Sequence, residues 1–192
     1  MRALMLATTL LTAPLLALGL SSCTTLTMAN NSLPEPKMVI EDYFAGETYA
    51  YGVFEDRGRK LSRTFTVYMR GTTTADGFRL DERFLWNDGE KQSRTWTFKR
   101  TGTGTYEGTA GDVKGVATVT QSGNAERLTY LLNLPYKGKP ITVRFDDWTH
   151  LISDGVAINR ADVSKFGLHV GRVTVTFVKP GQAHPTAESL KP

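Results

Sequence analysis

The stretch LSRTFTVYMRGTTTADGFRLDERFLW, residues 61–86, decides the fold. Its first nine residues place Leu61, Phe65, Val67 and Met69 on one face, and its last nine do the same with Phe78, Leu80, Phe84 and Trp86. Alternation with period two belongs to strands, because successive side chains of an extended chain point to opposite sides. Between the two runs lies TTADG (73–77), whose Asp-Gly pair suits a tight turn. The unit is a β-hairpin.

The pattern recurs along the chain. RTWTF (94–98) presents Trp96 and Phe98, and LTYLLNL (128–134) presents Leu128, Tyr130, Leu132 and Leu134. ITVRF (141–145) presents Ile141, Val143 and Phe145, and RVTVTF (172–177) presents Val173, Val175 and Phe177. Further turn signals are DRGRK (56–60), WNDGEK (86–91), GTG (102–104), AGD (110–112), SGN (122–124), YKGK (136–139) and SDG (153–155). Short strands with hairpin links predict an antiparallel meander. About eight to ten of them avoid exposed edges most simply by closing. The expectation is an all-β, single antiparallel up-and-down β-barrel over 37–179, with a flat sandwich as the alternative.

Ahead of the strands, KMVIEDYFAG (37–46) sets Met38, Val39, Ile40, Tyr43 and Phe44 at helical spacing and ends on Gly46. This predicts a short helix at about 37–45. SDGVAINRADVSKFG (153–167) is polar and reads as a turn closing the barrel mouth, with a binding loop as the alternative.

The chain opens MRALMLATTLLTAPLLALGLSS (1–22): Arg2, an apolar stretch from Ala3 to Leu20, then small residues. That is the layout of a secretory signal peptide. A membrane span fits less well, because Thr8, Thr9, Thr12 and Pro14 interrupt the stretch and no basic cluster follows. The stretch ends at the single cysteine of the chain, Cys23, in LSSC (20–23). Lying outside any folded pattern, Cys23 is neither a core nor a catalytic residue. LSSC resembles the bacterial lipobox. The resemblance implies that Cys23 carries acyl chains such as palmitate, begins the mature protein and anchors it to a membrane. Several acyl chains meet the requirement for stable anchoring. Thr24, not aspartate, follows, which implies the periplasmic face of the outer membrane. Residues 23–36 then read as a lipidated tether and 180–192 as a disordered tail.

The net charge is +4, with Lys and Arg interleaved among Asp and Glu. Such interleaving predicts a mixed solvated surface and no nucleic-acid partner. His150, His169 and His184 lack metal-ligand spacing, and no nucleotide or cofactor signature is present. No cofactor is expected.

EDYFAGETYAYGVFEDRGRK (41–60), NDGEKQSRTWTFKRTGTGTYEG (87–108) and FDDWTHLISDGVAINRADVSKFG (145–167) together resemble a family of proteobacterial lipoproteins, the domain-of-unknown-function family 3833. The resemblance covers about 40 to 178 and implies a lipocalin-like barrel. It brings no activity, cofactor or catalytic residue.

Projecting each strand's apolar face leaves five charged residues on it: Arg63, Glu82, Arg94, Asp147 and Arg160. Buried charges must be paired or wet. They are therefore either internal salt bridges and strand ends, or the polar patch of a cavity whose arginines receive a carboxylate or phosphate. Glu82 and Asp147 form an acid–base pair only if they meet across the barrel. A Ser164, His169, Asp162 triad lacks a nucleophile elbow. Trp148 alternates opposite Phe145, as an outward anchor or a plug, and the plug is favoured. The resulting expectation is a binding module, not an enzyme. It is a membrane-anchored lipoprotein taking a small apolar or lipid-like anion. The alternatives are a structural envelope protein with a filled barrel and a cryptic hydrolase.

Overall fold

The computed structural model describes residues 26–136 and 138–181. The signal segment, Cys23 and the tail beyond 181, with His184, lie outside the described residues. Ten strands run through them: β1 (Gly46–Asp56), β2 (Leu61–Thr74), β3 (Gly77–Trp86), β4 (Lys91–Gly102), β5 (Thr105–Thr109), β6 (Ala117–Ser122), β7 (Ala125–Tyr136), β8 (Lys139–Ser153), β9 (Val156–Lys165) and β10 (Leu168–Val178). Each pairs antiparallel with its sequence neighbours, and all eight turn signals lie between strands. β1 pairs with β10 from Tyr49–Val178 to Asp56–Gly171, which closes the sheet into an up-and-down barrel.

One segment departs from expectation. Residues 153–167 are not a mouth-closing turn, because most of them form β9. Its inward residues are Ala157, Asn159, Ala161 and Val163, all buried, while Ile158 is 42% exposed. Small and polar residues occupy the inner face, so the hydrophobic alternation is weak and its one large aliphatic points outward.

Successive turns of such a barrel lie at opposite ends. The β1–β2, β3–β4, β5–β6, β7–β8 and β9–β10 turns form the mouth, and the other four form the base. The base is plugged by α1 (Ile40–Phe44), which buries Ile40, Tyr43 and Phe44. A helix of five residues has no stability of its own. Packing holds it, at about 1.5–3 kcal/mol for each large side chain fully buried.

The Tyr43 hydroxyl donates to the Phe177 carbonyl at 3.2 Å, and Phe44 packs edge-on against Phe177 at 5.4 Å. Glu41 accepts two hydrogen bonds from Arg100, at 2.8 and 3.0 Å, and one from the Tyr106 hydroxyl at 2.7 Å. Upstream, the segment read as a tether makes specific contacts with the base. Leu33 and Asn124 exchange two hydrogen bonds of 2.7 and 2.8 Å, and the Met38 N–H donates to Gly123 at 2.7 Å. His150 Nε2 lies 2.9 Å from the Asn31 carbonyl.

Candidate functional site in the barrel interior and mouth

From the base upward the interior is filled by aromatic rings. Phe78 stacks on Phe98 at 4.6 Å, and Trp96 lies 5.2 Å from Phe98. Tyr130 meets Trp96 edge-on at 5.3 Å and stacks on Phe145 at 5.0 Å. All five residues are buried. Toward the mouth the packing loosens. Inward-facing Phe54, Phe84, Trp86, Leu134 and Ile141 are only partly buried. One concavity, between Tyr51, Val53, Thr66 and Leu85, also touches Phe65 and Trp86 near the mouth, and a second lies on the outer wall between Thr118, Thr129 and Arg144.

Arg63 stands at the rim. Its guanidinium lies 4.0 Å over the Trp86 ring and pairs with Asp88 at 2.7 Å and Glu90 at 2.8 Å. Its charge is consumed there.

Deeper in, Arg94 on β4 reaches Asp112 on the β5–β6 loop at 2.9 Å and Glu82 on β3 at 4.0 Å. The Glu82 side chain is 11% exposed and that of Arg94 20%. Burial pushes the Glu82 carboxyl up to about 7, although Arg94 pulls the other way. One oxygen each of Glu82, Asp112 and Asp147 is buried without a hydrogen-bond partner.

Asp147 on β8 accepts a long hydrogen bond of 3.4 Å from the Tyr130 hydroxyl. Burial, reinforced by nearby Glu126, raises its carboxyl well above the usual range. Glu126 on β7 is buried and also pushed up to about 7, with Thr149 hydrogen-bonded to it. Thr149 in turn accepts from the Asn159 amide at 3.0 Å. Burial thus favours the protonated form of Glu82, Glu126 and Asp147, which can donate as well as accept.

Of the five residues picked from the sequence, Arg63, Glu82, Arg94 and Asp147 face inward. Arg160 does not. It is exposed on the outer face of β9, because the inner face there belongs to the odd-numbered residues. Trp148 is likewise no plug. It lies on the outer wall, beneath the Arg127 guanidinium at 5.1 Å and stacked with His150 at 6.4 Å. Asp146 points outward to Arg127 at 2.7 Å while its neighbour Asp147 points inward. Ser164 pairs in register with His169, and His169 Nδ1 lies 4.0 Å from Asp162. Yet Asp162 is held by Arg172 at 2.7 Å, and the group sits on the open outer face. No cluster of three or more metal-ligating side chains occurs among the described residues.

A family model described as "Protein of unknown function (DUF3833)" matches residues 17–179. The chain belongs to that family. No curated protein sequence matches it. Among solved structures, this DUF3833 barrel is similar to an S-type phycobiliprotein lyase from Guillardia theta. The two share 12% identity with a TM-score of 0.55, over 76% of this chain and 95% of that one. It is also similar to a protein of unknown function from the DUF3598 family of Nostoc punctiforme. That pair shares 14% identity with a TM-score of 0.53, over 75% of this chain and 50% of that one. At such identity the likeness shows the fold alone, that of a lipocalin-like β-barrel.

Two interior acids escape a reading of the DUF3833 chain by alternation. Glu126 precedes Leu128 on the same face and was legible by extending that strand two residues. Asp112 lies in a loop, and no period in the sequence marks it.

Proposed function

We propose that this protein is a membrane-anchored envelope lipoprotein whose barrel mouth holds a small hydrophobic ligand carrying one hydrogen-bonding group. The observation that carries the binding reading is the set of orphaned buried oxygens on Glu82, Asp112 and Asp147, beside Arg94 and below a partly open aromatic mouth. Buried polar atoms without partners are rare and call for water or a ligand. The anionic headgroup suggested by three arginines loses its basis, because Arg160 is outside, Arg63 is neutralised at the rim and Arg94 already holds Asp112. A neutral donor–acceptor group, such as a hydroxyl or amide on an apolar body, better matches the Glu82 and Asp147 carboxyls, whose protonated form burial favours. We read the protein as a binding module, not an enzyme.

Lipidation of Cys23 and a place on the periplasmic face of the outer membrane rest on the LSSC stretch and its leader, which lies partly within the residues the family model matches. The test of the anchor is labelling with radioactive palmitate and detergent partitioning. Cys23→Ala should lose both, and a variant as labelled and as membrane-bound as its parent rejects the anchor.

The tight aromatic packing below the mouth favours a second reading, a filled structural barrel with no ligand. Native mass spectrometry of the chain purified in the Cys23→Ala form distinguishes the two. A co-purified hydrophobic mass supports the first reading. A bare chain that also fails to quench its tryptophans on titration with apolar probes supports the second.

A further inference from the structure

The barrel mouth gathers unpaired cations from separate turns, which interleaved charges in the sequence conceal. The four base turns, 74–77, 102–105, 122–125 and 153–156, carry Asp76 and Asp154 and no Lys or Arg. Of the α1 acids Glu41 is paired with Arg100, and Lys179 lies beside α1 with its ammonium on the Ala45 carbonyl. The mouth is richer in free cations. Its turns present Arg57, Arg59, Lys60, Lys139 and Lys165, none of them in an ion pair among the described residues. Most acids at that end, Glu55 excepted, are already engaged. Asp88 and Glu90 accept from Arg63, Asp112 from Arg94, and Asp56 from the backbone N–H groups of Gly58 and Lys60.

Three exposed apolar side chains stand among these cations, Phe166 with the Lys165 ammonium 5.4 Å from its ring centre. Phe166 is 93% exposed, Leu168 63% and Leu61 55%. They sit on the β9–β10 and β1–β2 turns, which are neighbours because β10 pairs with β1 down to Asp56–Gly171. Phe166 and Arg59 are also the two non-glycine residues of the described chain with positive φ, 51° and 64°. Bulky residues adopt that conformation rarely. It places an aromatic ring and a guanidinium at the tips of adjacent hairpins.

We propose that the mouth rim docks on an anionic phospholipid bilayer, with Phe166, Leu168 and Leu61 inserted among the headgroups and the cations on lipid phosphates. Exposed apolar residues ringed by Lys and Arg are the combination that holds a protein in the interfacial plane. A protein partner would also accept an apolar patch. The charge complementarity of free cations gathered around these apolar tips selects an extended anionic surface. Docked this way, the mouth faces the bilayer and an apolar molecule reaches it without crossing water. The inference is independent of Cys23 lipidation.

The test uses the full chain with Cys23→Ala, which leaves no other thiol, and a single cysteine at Phe166→Cys labelled with the environment-sensitive fluorophore NBD. A control carries the label at Thr103→Cys on the base. With vesicles of phosphatidylcholine containing 30% phosphatidylglycerol, the label at 166 should brighten and shift to the blue, be quenched by spin-labelled lipid, and lose the response in high salt. The label at 103 should not respond. Replacing Arg57, Arg59 and Lys60 together by Gln should weaken the response by roughly 100-fold in vesicle concentration. A silent label at 166, equal responses from both ends, or indifference to phosphatidylglycerol each overturns the proposal. If a ligand is found in the mouth while the rim stays silent, the binding reading survives and this inference alone falls.

Discussion

Arg94 holds Asp112 at 2.9 Å, tying the loop that follows β5 to the inner wall of β4. The same loop patches the sheet where β6 is too short to follow β7. Lys114 N–H donates to Leu131 and Asn133 N–H to the Asp112 carbonyl, both near 2.8–2.9 Å. One guanidinium therefore fixes a loop and neutralises a buried wall. Arg94→Met should cost about 3–5 kcal/mol, because it strands Glu82 and Asp112 without a counter-charge. Adding Glu82→Gln should recover much of the loss. Urea denaturation of the single and double variants checks both, and additive losses reject the coupling.

Stability should fall as pH rises from about 4.5 to about 7. Glu82 and Glu126 titrate near 7 in the folded chain and near 4.5 when unfolded. Between those values the folded state binds more protons, so their contribution is complete below about 4.5 and lost above about 7. Each contributes on the order of 3 kcal/mol. Glu41 works in the opposite sense, since Arg100 holds its carboxyl below the ordinary value, and its contribution fades as pH drops through the acid range. Melting temperature should peak near pH 5, and Glu126→Gln should flatten the decline toward pH 8. A melting temperature that rises from pH 5 to 8 is the contrary result.

The plug should be intolerant at a position that looks innocuous. A Cβ on Gly71 would lie 1.9 Å from the Phe44 carbonyl oxygen, a backbone atom that cannot step aside. Gly71→Ala should lose about 3 kcal/mol and loosen α1. Faster proteolysis within residues 31–45 reports the loosening. Wild-type cleavage rates with wild-type stability refute it.

The barrel was legible in the sequence because strands such as β2, β3 and β7 bury one face and wet the other. β9 was not, since its inner face of Ala157, Asn159 and Ala161 gives alternation nothing large to mark. Arg160 was misplaced for the same reason. In β9 the exposed Ile158 suggested the wrong face, and a one-residue error of register reverses every side chain. Glu82, Arg94 and Asp147 were found because each shares a face with clear hydrophobic neighbours. Asp112 and the clustering of cations at the rim were hidden, because they depend on which turns the closed topology gathers at one end.

The rim pair offers a way to convert the mouth. Arg63 lies over Trp86 with its charge spent on Asp88 and Glu90, whose side chains are 56% and 45% exposed. Ion pairs this exposed contribute at most about 1 kcal/mol each. Asp88→Asn with Glu90→Gln should therefore leave the fold intact while freeing a guanidinium held flat above an aromatic ring at the entrance. A charge-assisted hydrogen bond to a ligand carboxylate is then available. Affinity for a long-chain fatty acid should rise by about tenfold, and affinity for the matching fatty alcohol should stay the same. Tryptophan quenching on titration measures both. An equal change for acid and alcohol would mean that the substitutions altered packing and not charge, and no change for either would place the ligand away from Trp86.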